Sequence, residues 1–158
     1  MNFRIKNAAE KDVSPIVEMI REFAAFENLS DYCEVTEENL QDAMFGVNPC
    51  VEGLMAFVEN EPVGYALFYK NFTSFRGQRG LYLEDLYVKS DYRRLKIGEA
   101  FLKKLVRIAK ERNFERIDFL VLDWNEAAIK FYEKLGAETN PEERHFRFAG
   151  EAFEKLSE

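Results

Sequence analysis

Of 158 residues, two are cysteine and one is histidine. Cys33 and Cys50 lie far apart with no CxxC spacing, and His145 stands alone, so a zinc centre would lack ligands and no metal site is expected. Such sparse cysteine suits a reducing cytoplasm better than a disulfide-stapled secreted domain. Long apolar runs are also missing. No stretch approaches the ~18 residues of a membrane span, and residues Met1 to Lys11 carry charges where a signal peptide would be apolar. A membrane partner is therefore not expected. The 4 prolines and 8 glycines make no linker, and no repeat or low-complexity tract occurs, which predicts one domain over 1–158. Neither GxxxxGK[ST] nor GxGxxG is present, so the usual phosphate loops of nucleotide and dinucleotide folds are excluded.

What is there is acidic. Asp and Glu outnumber Lys and Arg 29 to 22, a formal charge of -7, which argues against duplex nucleic acid as a partner and suits small cationic or neutral ones. Acidity for solubility alone explains the same number.

The apolar pattern changes period along the chain. Phe3 to Lys6 alternates as a strand. Ser14-Pro15 reads as an N-cap with proline at the first helical position, opening a helix to about Glu27 whose stripe is Ile16, Met19, Ile20, Phe23 and Phe26. Thr36 caps a second short helix that Gly46 ends. Gly53 to Glu59 and Pro62 to Phe72 read as a hairpin about the turn Asn60-Glu61. Leu81 to Val88, "LYLEDLYV", is a third, mostly buried strand. Helices follow over Lys96 to Arg112 and Asn125 to Leu135, with a strand Ile117 to Leu122 between them and a last strand at Phe146 to Ala149. The order predicts an α/β (α+β) domain with a mixed sheet covered by helices, in which Leu81 to Val88 and Ile117 to Leu122 are parallel strands joined by a right-handed crossover.

That topology gives the stretch "DYRRLKIGEAFLKKL" (residues 91–105) a chemical meaning. It lies at the carboxyl end of a strand and the amino end of a helix, where unpaired backbone N–H groups and the helix dipole attract anions. Gly98 lets a phosphate approach the backbone, and Arg93, Arg94 and Lys96 add positive charge. Cations at exposed turns are common for solubility alone, so the stretch by itself leaves both readings open.

Taken in order, "LYLEDLYVKSDYRRLKIGEAFLKKL" and "VLDWNEAAIKFYEKLGAE" resemble the GNAT superfamily of acetyl-CoA-dependent N-acetyltransferases, and most of all its diamine (spermidine/spermine) and thialysine acetyltransferases. The resemblance covers nearly the whole chain. It implies the GNAT fold, a central mixed, mostly antiparallel sheet with a splayed parallel strand pair flanked by helices. It also implies acetyl-CoA as co-substrate, a small amine as acceptor, direct transfer in a ternary complex, and a homodimer. The family's pyrophosphate loop reads Arg/Gln-x-x-Gly-x-Gly/Ala. Arg93, Lys96 and Gly98 occupy its fixed positions, with Lys96 where glycine is expected and Arg94 where related enzymes usually also have glycine. The cofactor-binding set implied is Leu86, Tyr87, Val88, Arg93, Arg94, Leu95, Lys96, Ile97, Gly98, Glu99, Asn125 and Tyr132.

Acetylating an amine requires removing a proton from an ammonium and protonating a departing thiolate. The resemblance makes Glu84 the base, working through water. On the residues alone, a carboxylate inside a buried strand is either used or paired, or it caps backbone N–H groups at a bulge. Strand alternation turns Asp85 the other way, so at most one of the two shares a face with Tyr82 and Leu86. The resemblance makes Tyr132 the acid, since a phenol of pKa ~10 is protonated at neutral pH; on the residues alone Tyr132 is core packing. Asn125 is an N-cap that would help bind the pantetheine arm, Trp124 a core plug or a site residue, and Leu120 to Asp123 a strand lending its backbone to pantetheine amides. Glu27 and Asp31, with Glu84 and Asp85, fall where the diamine enzymes bind substrate, although Ser30 replaces one acidic position. No cysteine is expected in the site. The alternatives are acetylation of a lysine-like amino acid or a protein amine, a non-catalytic acyl-CoA sensor, or a nucleotide-binding regulator.

Overall fold

Strands β1 (Phe3–Asn7), β2 (Glu52–Val58), β3 (Glu61–Thr73), β4 (Gln78–Val88) and β5 (Ile117–Phe119) form one sheet in that order. Neighbours are antiparallel except β4 and β5, which are parallel with Leu81 opposite Ile117. The computed structural model describes residues 2–157. They fall into two compact units, one running through Leu120 and the other starting at Val121.

In the first unit the sheet is sandwiched by helices because its strands are apolar on both faces. Leu54, Ala66, Leu81 and Leu83 pack with Ile97, Phe101 and Leu105 of α3 (Ile97–Glu111). On the other face Met55, Tyr65 and Leu67 pack with Ile16, Val17 and Met19 of α1 (Val13–Phe26) and Leu40 of α2 (Glu37–Phe45). The period-3.6 stripe expected for α1 thus faces the core, with Ile20 and Phe23 partly buried and one exception: Phe26 is 44% exposed.

Local chemistry sets the ends. The side chain of Thr36 accepts from the Asn39 backbone N–H at 3.1 Å, and Asn39 Oδ1 accepts from Thr36 N–H at 3.0 Å, so α2 starts on a reciprocal cap. α1 starts earlier than Ser14-Pro15 suggests. Buried Asp12 is its N-cap residue; its carboxylate accepts from Ala9 N–H at 2.8 Å and pairs with Lys6 Nζ at 3.3 Å, closing the short turn Glu10–Asp12 that leads into the helix. Pro15 still falls in the first turn, where its missing N–H costs nothing. The hairpin turn is Glu59-Asn60, one residue before the expected pair, because Glu59 takes the left-handed conformation at φ 54° and Glu61 already pairs with Val58.

The second unit carries α4 (Glu126–Lys134) and α5 (Gly150–Leu156). Gly136 ends α4 at φ 93°, its N–H bonded to Glu133 O at 2.9 Å while Ala137 N–H reaches Tyr132 O at 3.1 Å. One expected strand, Ile117 to Leu122, is shortened to Ile117–Phe119, and another is not formed. Leu120 to Asp123 is not extended in a ladder, because the β4–β5 pairing stops at Leu83 and Phe119. Residues 146–149 pair with no strand among the described residues; Phe146 and Phe148 are exposed.

Candidate active site

The site is built around an irregularity in β4. Leu67 of β3 faces Asp85 and the next residue, Phe68, faces Leu83, so Glu84 is an extra residue at a β-bulge. The insertion exchanges the faces of the strand. Before it, Leu81 and Leu83 point to the α3 side; after it, Leu86 and Val88 do so, and Tyr87 joins the α1 side. Simple alternation therefore fails here. Tyr82 and Leu86 lie on opposite faces, and Asp85 shares the α1 face with Tyr82, whose ring stacks on Tyr69 at 5.1 Å.

The bulge also reverses the expected burial of the two carboxylates. Glu84 is exposed, not buried, whereas Asp85 is turned inward and accepts from the hydroxyl of fully buried Tyr65 at 3.0 Å. Burial pushes the Asp85 carboxyl up to about 6; the Tyr65 hydrogen bond opposes this, and Glu84 and Glu27 add to it. Glu27, the C-cap residue of α1, has its own pKa raised by burial. Glu27 and Glu84 thus both act by charge on Asp85, and the three carboxylates form one acidic cluster centred on it. Asp31 is exposed on the turn Ser30–Tyr32. Cys33, half-buried at the end of that turn, is close enough to help raise the Tyr65 phenol, after the larger effects of burial and Asp85. A thiol does therefore stand near the cluster.

Past the bulge the chain enters the helix-start loop. Arg94 at φ 75° and Lys96 at φ 63° both take the left-handed conformation, at the two places where the sequence resemblance calls for glycine. Lys96 is the N-cap of α3 and makes no side-chain cap; the first helical bond runs from Ala100 N–H to Lys96 O at 3.0 Å. The N–H groups of Ile97, Gly98 and Glu99 therefore precede the helical ladder and, with the dipole, suit an anion. Glu99 pairs with Lys103 at 2.6 Å, which tempers its own charge in that first turn. Tyr87 and Ile97 are buried, and Leu86, Val88 and Leu95 pack on the α3 core, so a cofactor would meet the backbone of these residues rather than their side chains. Arg93 Nε donates to Val88 O at 3.0 Å, and its guanidinium covers the rings of Phe26 at 5.0 Å and Tyr87 at 5.9 Å.

In the second unit, Asn125 Oδ1 accepts from Ala128 N–H at 3.2 Å, so this side chain caps α4. Trp124 is 53% exposed and is not a core plug. Tyr132 is half-buried with its ring edge-on to Phe131 at 5.0 Å, and burial pushes its phenol up to about 12. It is a weaker acid than an ordinary tyrosine.

Two contributors carried no sequence signal. Tyr65 reaches Asp85 across the sheet, and Glu22 accepts from the Tyr87 hydroxyl at 3.1 Å. Both contacts join distant segments and follow from pairing register, which no local motif encodes.

The profile of the acetyltransferase (GNAT) family matches residues 17–137. A thialysine N-epsilon-acetyltransferase of Sus scrofa is 40% identical over 164 residues, covering 97% of this chain and 96% of its own length. A Homo sapiens spermidine/spermine N(1)-acetyltransferase-like protein is 38% identical over 142 residues, covering 85% of this chain and 20% of its own length. Among solved structures, an integron cassette protein from the mobile metagenome of V. cholerae aligns with a TM-score of 0.80 at 26% identity, covering 99% of this chain and 98% of its own.

Proposed function

This chain belongs to the acetyltransferase (GNAT) family, and on that premise we propose that it moves an acetyl group from acetyl-CoA to a primary amine of a small cationic substrate such as a polyamine or diamine. That it is an acetyl-CoA-dependent N-acetyltransferase follows from the family and from relatives at 38–40% identity over most of the chain. The choice of substrate is carried by the acidic cluster of Glu27, Glu84 and Asp85. A second reading, a lysine-like amino acid, is favoured by the names of the relatives, which are thialysine acetyltransferases. A diamine presents two ammonium groups to such a cluster. A lysine-like substrate brings a carboxylate that needs a cation of its own.

The loop residues fit the co-substrate: Ile97, Gly98 and Glu99 offer backbone N–H groups, while Arg94 and Lys96 are exposed cations. Acetyl-CoA supplies the activated thioester. Glu84, exposed at the bulge, would take the ammonium proton through water, which frees the amine lone pair to bond to the acetyl carbon as the C–S bond breaks. Tyr132 would donate a proton toward the departing sulfur. With its phenol near 12, full transfer to a thiolate of pKa ~8.5 is uphill. Tyr132 then acts chiefly as a hydrogen-bond donor that stays protonated across the working range, and the pH–rate profile has no falling limb from it below pH ~10. Transfer is direct, in a ternary complex.

We read residues 1–158 as one acetyltransferase domain, supported by a family match that spans both compact units. A homodimer is supported by apolar side chains at the surface of the second unit, Phe146 at 84% and Phe148 at 67% exposed. Cytoplasmic residence is supported by the free cysteines Cys33 and Cys50. Among the described residues no helix is long and apolar enough to cross a membrane.

The deciding experiment is kcat/KM for spermidine, putrescine, thialysine and a peptide N-terminus, measured side by side at one salt concentration. Polyamines or diamines are expected to lead. A tenfold lead for thialysine or the peptide, about 1.4 kcal/mol of transition-state preference, rejects the polyamine assignment and keeps the acetyltransferase.

A further inference from the structure

Arg93 sits where two segments of different purpose meet. One is the last turn of α1, where Phe26 directly precedes Glu27 of the acidic cluster. The other is the end of β4, where Val88 leads into the loop and Arg93 directly precedes left-handed Arg94. The side chain touches both at once. Its Nε–H donates to Val88 O at 3.0 Å, and the guanidinium lies over Phe26 at 5.0 Å and over Tyr87 at 5.9 Å. Tyr87 ties back to α1 twice, through its hydroxyl to Glu22 Oε2 at 3.1 Å and through its ring to Phe23 at 5.4 Å. Burial and Glu22 raise the Tyr87 phenol and Arg93 opposes them, so the guanidinium and the Glu22 carboxylate act on the same ring from opposite sides in charge.

Phe26 is 44% exposed, and a planar cation stands over its ring. Only a guanidinium can place an N–H in its plane onto a carbonyl while presenting a face to a ring. A lysine ammonium can sit over a ring, as Lys6 does over Phe57 at 4.6 Å, but it has no flat face to stack on one ring while donating in its plane to a carbonyl.

We propose that Arg93 is a positioning residue that couples the amine side of the site to the cofactor side, by clamping the last turn of α1 to the end of β4. The proposal rests on the acetyltransferase reading above. Filling the loop with the phosphates of CoA fixes Arg93, and through Phe26 this fixes the helix end that carries Glu27; an amine held by Glu27 does the reverse. Because binding linkage is reciprocal, the amine must tighten CoA by the same factor as CoA tightens the amine.

Calorimetry with CoA as the probe tests this, with and without a saturating amine that the wild type acetylates. The wild type is expected to bind CoA about threefold or more tightly in the presence of the amine. Phe26→Leu and Arg93→Lys are each expected to bring that factor to about one, and Phe26→Tyr, which keeps the ring, to retain it. The variant carrying both Phe26→Leu and Arg93→Lys should be no less coupled than either alone, since one contact is removed twice. Thermal midpoints of the Phe26 variants are expected to match the wild type, so a general loosening would be visible as a separate change. A wild-type factor of one, or coupling that survives Phe26→Leu, overturns the proposal. A wild type that binds no CoA at all removes the acetyltransferase reading instead.

Discussion

The bulge at Glu84-Asp85 and the loop at Arg94–Lys96 lie a short way apart on the same run of chain, and they break regular structure by different routes. At the bulge the backbone gains a residue, and the outcome is written in side chains: one carboxylate goes to water and its neighbour goes under Tyr65. At the loop the side chains stay outside and the outcome is written in the backbone, with two residues held at positive φ so that N–H groups open toward a ligand. On the proposed reading, the acidic end would attract what carries positive charge, and the basic end would offer fixed donors to anions. The ammonium would then meet the carboxylates of the bulge, and the pyrophosphate the loop that follows β4.

The largest test of this division is at the loop. Gly98→Glu puts bulk and negative charge in front of the first-turn N–H groups of α3, and CoA affinity is expected to fall by about 10³-fold, while amine KM extrapolated to saturating acetyl-CoA changes little. Titration calorimetry measures it. A variant that still binds CoA within tenfold of the wild type would show that the anion sits elsewhere.

At the bulge, Glu84→Gln removes the water-accessible carboxylate. The rate is expected to drop by about 10²-fold, most steeply at lower pH where the amine is fully protonated, with CoA affinity unchanged. Should Asp85→Asn produce that loss and Glu84→Gln leave turnover intact, the buried carboxylate is the base and the roles within the pair are exchanged.

Asp85 also makes a prediction about stability. Its folded pKa of about 6 lies above the ordinary 3.8, so the native state holds this proton more tightly than the unfolded chain does. The favourable contribution is complete below pH ~4 and is lost as pH rises through about 6. Asp85→Asn keeps an oxygen for the Tyr65 hydroxyl and never ionises. Relative to wild type it is expected to gain about 3 kcal/mol at pH 8 and only about 0.5 kcal/mol at pH 4, read from urea unfolding at the two pH values. An equal difference at both would mean that the Asp85 pKa is not raised on folding.

These two regions differ as much in how they can be read. The loop was legible because its signals are local: cations, Gly98 and a helical stripe beginning at Ile97 all sit within a few residues, and the parallel β4–α3–β5 unit follows from the change of period. The caps at Thr36 and Asn125 were legible for the same reason. The bulge was not. Nothing in "LYLEDLYV" announces that Glu84 is an extra residue; that is decided by which residues of β3 it meets, and the face of every later residue in the strand depends on it. Period-two reasoning put the buried carboxylate one position too early. The absent strand at 146–149 failed similarly, since alternation describes a possible strand and only a partner makes one.

The smallest effect lies in the loop's departure from glycine. Arg94 and Lys96 pay a conformational cost at positive φ that glycine would not, of the order of 1 kcal/mol for each. Part of that cost is offset because lysine or arginine leaves the unfolded chain with less freedom to lose than glycine does. Lys96→Gly is therefore expected to raise stability by only about 0.5 kcal/mol, while CoA binds about threefold more weakly at low salt because an exposed cation near its phosphates is gone. At 0.5 M salt the affinity difference should close, since screening removes the attraction that Lys96 supplied, and the stability difference should remain, since backbone strain is indifferent to salt. Unfolding curves and CoA titrations at both ionic strengths separate the two. If Lys96→Gly binds CoA more tightly at every salt concentration, the lysine obstructs the loop rather than serving it, and the opposition drawn between an acidic bulge and a basic loop holds for Arg94 alone.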